Sequence, residues 1–123
     1  MANPNIAALT SVLGETTGIL LTTTTNTLII NNPAASGNVL KINTIKATNV
    51  NISANSSVFL NWHDEDDIGG TTFPLVYAAI SSRGLLIVKT DRIYLTENTS
   101  ISATASVANS FKVFACYQVI TDV

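Results

Sequence analysis

The chain has 123 residues, the length of a single domain, and only 11% of them are charged, against about 25% in a typical soluble protein. The formal net charge is −2, and the six basic residues are scattered between Lys41 and Lys112 instead of being clustered. We therefore expect no nucleic-acid binding through phosphate neutralisation. We also expect no membrane binding, since the chain has neither a basic amphipathic segment nor an apolar run of spanning length.

Neutral polar residues take the place of the missing charges. The chain contains 17 Thr, 13 Asn and 11 Ser, which together make a third of it. Thr favours strands, whereas Asn and Ser favour turns, so this composition is typical of a durable β-rich structural protein. A mean hydropathy of +0.36 is high for so small a domain and suggests that a partner covers part of its surface. The single cysteine, Cys116, excludes an intrachain disulfide, and the start MANPNIAAL has no signal-peptide pattern, so we expect synthesis in a reducing cytosol.

The first half of the chain predicts a weakly structured start followed by strands. Residues 1–18 are small and polar, and they predict an N-terminal arm or a weak first strand. Residues 39–50 carry apolar side chains on both faces, which predicts a central strand. The other segments of this half are residues 19–30 (one long strand, or two with a kink in the Thr-rich middle), 31–37 (a turn, NNPAASG) and 51–57 (a polar connection).

The second half alternates strands with short turns. Residues 58–63 have period two, with apolar side chains at every even position, and residues 101–107 alternate between apolar and polar side chains. Residues 73–80 predict a strand in which Pro74 lies at the start or on a sheet edge. The remaining segments are 64–70 (an exposed acidic loop), 81–84 (a hairpin turn), 85–90 and 93–95 (strands joined near residues 91 and 92), 97–100 (a turn) and 111–120 (the last strand). About eight strands at short spacing predict an all-β, single-domain β-sandwich or jelly roll over residues 19–123, preceded by the arm.

The last strand has two partly apolar faces. Its odd positions, from Phe111 to Val119, form one continuous apolar face. A sandwich strand should have one wet face, so we expect a neighbouring subunit to cover the other. The candidate subunit interface consists of Phe114, Cys116, Gln118 and Ile120.

The search for catalytic or metal-binding chemistry gives one weak candidate. The only histidine, His63, precedes the acidic run Asp64–Asp67, but a calcium loop of the EF-hand type would need a third oxygen ligand at the position of Ile68. We interpret this run as a solvated acidic turn, with a weak, interface-stabilising Ca²⁺ as the alternative. We expect no catalytic residue, no metal centre and no cofactor, because no base or nucleophile elbow accompanies the serines and Cys116 lies in an apolar strand.

The aromatic side chains leave one further binding hypothesis open. Trp62, Phe59, Phe73 and Tyr77 could form a sugar-binding platform, although aromatics in such strands more often belong to the core.

Six segments of the chain carry a resemblance to known proteins, and they are MANPNI, SGNVLKINTIKATNV, SVFLNWHD, FPLVYAAI, DRIYLTENTSISATAS and the closing strand SFKVFACYQVITDV. Together they resemble small β-sandwich virion structural proteins of tailed bacteriophages, of the cyanophage and marine-phage type. One departure is ENTS at residues 97–100, where an acid-Gly-acid turn is expected. The turn should still form, because Asn98 tolerates left-handed backbone angles.

The resemblance implies a non-enzymatic structural protein of the virion, assembled in the host cytoplasm. We favour a capsid decoration (cement) protein, because the chain is one compact domain with an arm that could lie along a capsid and has no fibre-like repeats. The expected partners are copies of itself, as a homo-oligomer and most simply a trimer, and the major capsid protein or other virion proteins. Alternatives are a tail, neck or fibre component and a glycan- or receptor-binding β-sandwich module. The candidate capsid-contact residues of the arm are Asn5, Ile6, Leu9, Val12 and Leu13.

Overall fold

The computed structural model describes residues 11–88 and 93–121, and all the regular structure in these residues is β-strand. The strands are β1 (Ser11–Leu20), β2 (Thr27–Asn32), β3 (Asn38–Asn49), β4 (Ser56–His63), β5 (Thr72–Ile80), β6 (Leu85–Val88), β7 (Ile93–Leu95), β8 (Thr99–Ala105) and β9 (Phe111–Thr121). β6 and β7 pair with the two halves of β3, so together they occupy one strand position. No helix that could span a membrane occurs in this part of the chain.

The strands form two antiparallel sheets that pack face to face. Sheet A has the order β1-β9-β3-β6, with β7 also beside β3, and sheet B has the order β2-β8-β4-β5. The chain passes from one sheet to the other after nearly every strand, which gives the jelly-roll arrangement of eight strand positions in two four-stranded sheets. The prediction of an all-β sandwich or jelly roll with about eight strands is therefore confirmed.

The core lies between the sheets and is built from alternate residues of nearly every strand. In β9, Phe111, Val113 and Ala115 are at most 1% exposed, whereas Lys112 and Phe114 point outward. The largest buried side chains of the cluster are aliphatic or aromatic and are Leu21, Ile30, Ile42, Ile45, Leu60, Leu95, Ile101 and Phe111. Burial of these side chains supplies most of the driving force for folding.

Two buried asparagines hold the two ends of the sandwich. Asn32 is 1% exposed, and its Nδ2 donates to the carbonyls of Asn38 (2.9 Å) and Leu95 (2.8 Å). Asn49 is fully buried, and its Nδ2 donates to the carbonyls of Ala54 (3.2 Å) and Ile80 (3.0 Å). Because each amide satisfies carbonyls of two separate segments, part of the high asparagine content serves to fasten turns to strands.

The described chain starts with an edge strand, which is followed by a change of sheet. Residues 11–20 form the edge strand β1, which pairs along its whole length with β9. The Thr-rich segment 22–25 lies in the connection that carries the chain from sheet A to sheet B, so the alternative of two strands is the one observed. Thr has strand propensity, but this change of sheet overrides it. Asn98 has φ 62°, so it adopts the left-handed conformation that was expected of it in the turn at residues 97–100.

Candidate functional site: the outer faces of the two sheets

The outer face of sheet A is centred on the even-numbered residues of β9. In register, Phe114 lies between Gly18 of β1 and Lys46 of β3. The Lys46 Nζ lies 5.9 Å from the centroid of the Phe114 ring, a cation–π distance. Lys112 is exposed, lies two residues before Phe114 in β9, and pairs with Leu20 of β1. This face therefore presents an aromatic ring and two ammonium groups side by side.

A groove of about 420 Å³ crosses this face beside the Phe114 ring. Its lining residues are Gly18, Ile19, Leu20, Thr48, Lys112, Val113 and Phe114. Leu20 and Phe114 are 38% and 41% exposed, so large apolar groups meet solvent in it. A Cβ added at Gly18 would have no neighbour within 4 Å, so the space above β1 is open.

The four candidate interface residues of β9 do not share one environment. Phe114 is exposed, and Cys116 and Gln118 are half-buried in a row along the same face. Ile120, in contrast, is only 4% exposed and lies in register between Val12 and Val39. Because Ile120 is already covered, the part of the face that a partner could reach runs from Lys112 to Gln118.

The candidate arm residues lie partly outside the described chain. Asn5, Ile6 and Leu9 are outside the described residues. Val12 and Leu13 belong to β1 and are 48% and 57% exposed. Both remain available to a partner as side chains of an edge strand.

The described cations concentrate on the outer face of sheet A. Lys41, Lys46 and Lys112 occupy outer-face positions, and the remaining described cation, Arg83, lies in the β5–β6 turn. Among the described residues, no Asp or Glu occupies an outer-face position of β1, β3 or β9, since Glu15 pairs with Tyr117 on the opposite side of the sheet. This face therefore carries a positive potential although the chain as a whole has a net charge of −2.

One end of the outer face of sheet B is covered by the β4–β5 connection, residues 64–71, whereas Tyr77 on the same face is 64% exposed. Ser100, on this face of β8, is fully buried. Its Oγ donates to the carbonyl of Glu65 (2.9 Å) and accepts from the amide of Ile68 (3.1 Å). The same hydroxyl thus holds the connection at Glu65 and at Ile68. We call this connection, residues 64–71, the acidic cap.

Contacts with neighbouring turns fix the middle of the acidic cap. The amide of Asp66 donates to Asn98 Oδ1 (3.1 Å), and the amide of Asp67 donates to Asn31 Oδ1 (2.8 Å). The Asp66 carboxylate accepts from the amide of Ala34 (3.1 Å). Several acidic side chains of this turn are thus exposed, while its residues are anchored to Asn31, Ala34 and Asn98 of other segments.

The end of the acidic cap depends on glycine. Gly70 has φ 67°, and a Cβ at this position would lie 2.1 Å from Asp64 Oδ1. Asp64 Oδ1 in turn accepts from the amide of Thr71 at 2.6 Å. Only a residue without a side chain fits between these groups, so the glycine pair after the acids is required by the closed shape of the cap.

His63 lies beneath the acidic cap and is fully buried. Its Nε2 is 2.7 Å from Ser102 Oγ, and its Nδ1 is 3.2 Å from Thr72 Oγ1. Burial lowers the pKa of His63 from its usual 6.5, and the nearby Asp64 carboxylate partly opposes this effect. The ring is therefore neutral at pH 7, with both nitrogens engaged by hydroxyl groups.

This arrangement is that of a structural polar cluster. Both ring nitrogens of His63 contact hydroxyl groups, so no carboxylate orients the imidazole as a catalytic relay requires, and Ser102 is as inaccessible to a substrate as the ring itself. Within the described residues, no group of three or more His, Cys, Asp or Glu side chains is placed to hold a metal ion.

The aromatic residues do not form one platform. Phe59 and Tyr77 pair on the outer face of sheet B, with ring centroids 4.1 Å apart. Trp62 and Phe73 pair on the inner side, with centroids 5.2 Å apart, and Trp62 packs against the core. A sugar ring could contact one of these pairs but not all four side chains at once.

Comparisons with known proteins relate the chain to solved structures by fold alone. No family model matches the sequence, and no curated protein matches it. A chain from Bacillus endospore appendages, a family of disulfide-linked pili, matches over 92% of this chain and 89% of its own, with TM-score 0.50 and 8% identity. A chain from the acid-stable capsid of Helicobacter pylori bacteriophage KHP30 matches over 94% and 91%, with TM-score 0.53 and 10% identity. A chain of the cyanophage Pam1 capsid gives TM-score 0.38 at 14% identity over 90% and 84%. The chain thus shares its fold with subunits of a phage capsid and of a pilus.

Proposed function

We propose that this chain is a non-enzymatic structural subunit of a phage particle, most specifically a capsid decoration protein that acts by packing against neighbouring proteins. The observation that carries the proposal is the open outer face of sheet A, where Phe114 and Leu20 meet solvent beside Lys46 and Lys112. Exposed apolar groups rimmed by polar ones are typical of protein–protein contacts.

The rest of the molecule supports the same role. A jelly roll with a closed core is a rigid body, and its one buried histidine is held in a cluster that substrates cannot reach. The described fold is shared with a chain of a phage capsid, which favours a virion without choosing among decoration, neck, tail or fibre. Decoration would clamp capsid subunits by burying apolar surface, worth about 25 cal/mol per Å² before the costs of association are subtracted.

The first test is the solution mass of the purified protein, measured by light scattering after size exclusion at low micromolar concentration. We expect a closed homo-oligomer, most simply a trimer, for the native chain, and a monomer with unchanged strand content for Phe114→Asp. A native chain that is monomeric at every accessible concentration would contradict the self-association. Co-sedimentation with heads assembled from the major capsid protein of the same source then tests decoration itself.

Two glycines give a matched pair of variants for the same measurement. Gly14 and Gly18 lie on the same face of β1, and a Cβ at either meets no atom within 4 Å, but only Gly18 lines the groove. Gly18→Tyr should fill the groove and dissociate the oligomer, whereas Gly14→Tyr should leave the mass closer to that of the native chain. Equal masses for the two variants would show that the groove is not the contact.

Ile120→Asp serves as the opposite control. Because Ile120 is 4% exposed within the chain, a carboxylate there is buried and should lower the stability of the fold itself. Loss of assembly in this variant without loss of stability would place the contact at Ile120 instead of Phe114.

A further inference from the structure

The proposed self-association raises the question of which surface meets the groove of sheet A. A ring of three or more copies brings two different surfaces together at each contact, because only a two-fold contact pairs a surface with itself. The second surface must therefore lie elsewhere on the molecule and must complement an apolar groove with a positive rim. The inference that follows rests on the proposed function and names this second surface.

The acidic cap is the described surface with the required charge. Its carboxylates have two different duties. Those of Asp64 and Asp66 accept hydrogen bonds from the chain and hold the cap closed. Those of Glu65 and Asp67 belong to exposed residues and accept no hydrogen bond from a described residue. Two carboxylates are thus presented to solvent on a backbone that is already ordered, so little conformational entropy is lost when they are bound.

The groove and the cap lie at opposite ends of the sandwich. The cap is held to Asn31, at the end of β2, and the next residue, Asn32, contacts Asn38 at the start of β3. Asn38 pairs with Thr121, and Lys112 lies nine residues back along β9. At about 3.3 Å per strand residue, this separation is roughly 30 Å. One copy can therefore use its groove and its cap at the same time without one contact blocking the other.

We propose that the groove of sheet A receives the acidic cap of a second copy of this chain. Lys46 and Lys112 face the carboxylates of Glu65 and Asp67 of the next copy, while Phe114 is covered by the backbone of the cap. The contact is head-to-tail, so its rotation decides whether copies close into a ring or continue as a stack. Charge complementarity sets the register and the direction of this contact.

The test is reciprocal charge reversal. Lys46→Glu/Lys112→Glu makes both surfaces acidic, and Glu65→Lys/Asp67→Lys makes both basic. Each variant alone should associate at least about tenfold more weakly than the native chain, because like charges then face each other. An equimolar mixture should regain association, since the native cap of the first variant fits the native groove of the second and the two reversed surfaces fit each other.

The mixture carries a second readout that a general effect on stability would not produce. Copies must alternate in it, and a three-membered ring would keep one like-charged contact. The mixture is therefore expected to give even-numbered or open assemblies even if the native chain forms trimers. For the native chain, raising the salt from about 0.1 M to about 1 M, which shortens the Debye length from about 10 Å to about 3 Å, should weaken association about tenfold.

The outcomes separate this inference from the function on which it rests. If Phe114→Asp dissociates the native oligomer but the cap variant associates as tightly as the native chain, the groove binds another surface, and the inference is overturned while the function stands. A native chain that never associates overturns this inference together with the self-association, and co-sedimentation with assembled heads then decides whether decoration stands. Should Asp67→Lys unfold the cap, since residue 67 has φ 51°, the milder pair Glu65→Gln/Asp67→Asn must still weaken association severalfold.

Discussion

The two outer faces of the sandwich differ in how their polar groups are satisfied. On sheet B, the fully buried His63, Ser100 and Ser102 lie beneath a connection of the same chain, which supplies hydrogen bonds to this face. On sheet A, Lys46 and Phe114 have no such cover and stay in contact with solvent. The comparison shows that a connection of the same chain closes the His63 end of sheet B, whereas the Phe114 end of sheet A is left open with apolar and cationic groups at its surface.

The difference has an energetic origin. Buried hydroxyl and imidazole groups each need a partner, so the acidic cap cannot leave sheet B without exposing or stranding them. An exposed lysine or phenylalanine carries no such requirement and can be kept for a partner at little cost to the fold. Stability should therefore depend strongly on the covered face and weakly on the open one.

The largest expected effect on stability comes from comparing two phenylalanines that lie on opposite sides of β9. Phe111 is fully buried, whereas Phe114 is 41% exposed on the open face of β9. Phe111→Ala should lower the free energy of unfolding by about 3–5 kcal/mol, and Phe114→Ala by about 1 kcal/mol or less in the isolated subunit. Urea denaturation followed by the fluorescence of the single tryptophan measures both. Similar losses for the two variants would show that Phe114 is part of the core.

The second-largest expected effect on stability comes from comparing a glycine-to-alanine substitution in the acidic cap with the same substitution on the open face of sheet A. Gly70→Ala forces a Cβ against Asp64 at φ 67°, and it should cost about 2–4 kcal/mol through backbone strain and overpacking. Gly18→Ala meets open space and should change stability by about 0.5 kcal/mol or less. Equal urea midpoints for these variants would contradict the closed geometry of the cap.

A smaller effect, with its own pH dependence, is expected beneath the cap. His63→Phe leaves Ser102 without its 2.7 Å partner and should cost about 1–3 kcal/mol at pH 7. In the native chain the pKa of His63 is lowered from 6.5, so the unfolded state binds the proton more readily. Stability is then complete above about pH 6.5 and falls as the pH drops through 6.5 towards the lower folded-state pKa.

The pH dependence can be assigned because His63 is the only histidine. Between pH 7.5 and about 5.5, above the range in which most carboxylates titrate, the urea midpoint of the native chain should fall and that of His63→Phe should stay flat. Ser102→Ala is the control, since it removes a hydrogen bond but keeps the titrating ring. A native midpoint independent of pH in this window would mean that His63 is not shielded from protonation.

Much of the fold could be read from the sequence because jelly-roll strands follow simple periodicity. The alternation in residues 101–107 and 111–120 identifies β8 and β9 and the inward face of each. The division of residues 19–30 was ambiguous, since a run of threonines is compatible with a strand and the passage to the other sheet is a long-range event. The order of the strands in each sheet cannot be predicted from the sequence either, because it depends on pairings between distant segments.

The candidate site was foreseen in part. Alternation placed Phe114, Cys116 and Gln118 on the outer face of β9, but it could not show that Ile120 on the same face is covered, because its neighbours Val12 and Val39 come from other strands. The acidic cap was identified as a loop, yet its backbone anchors were missed. The signal available in the sequence is the pair of glycines after Ile68, at the end of the acidic loop, which is typical of a tight turn.

The pairing of β1 with β9 has a consequence for the kinetics of folding. The first described strand can be hydrogen-bonded in sheet A only after the last one has been made, and β9 also separates it from β3. During synthesis, sheet A is therefore incomplete until β9 has been made, and its strand edges stay unpaired for that time. With so many contacts between distant residues, folding should take milliseconds to seconds, so the newly made chain spends this interval exposed to wrong edge-to-edge pairing.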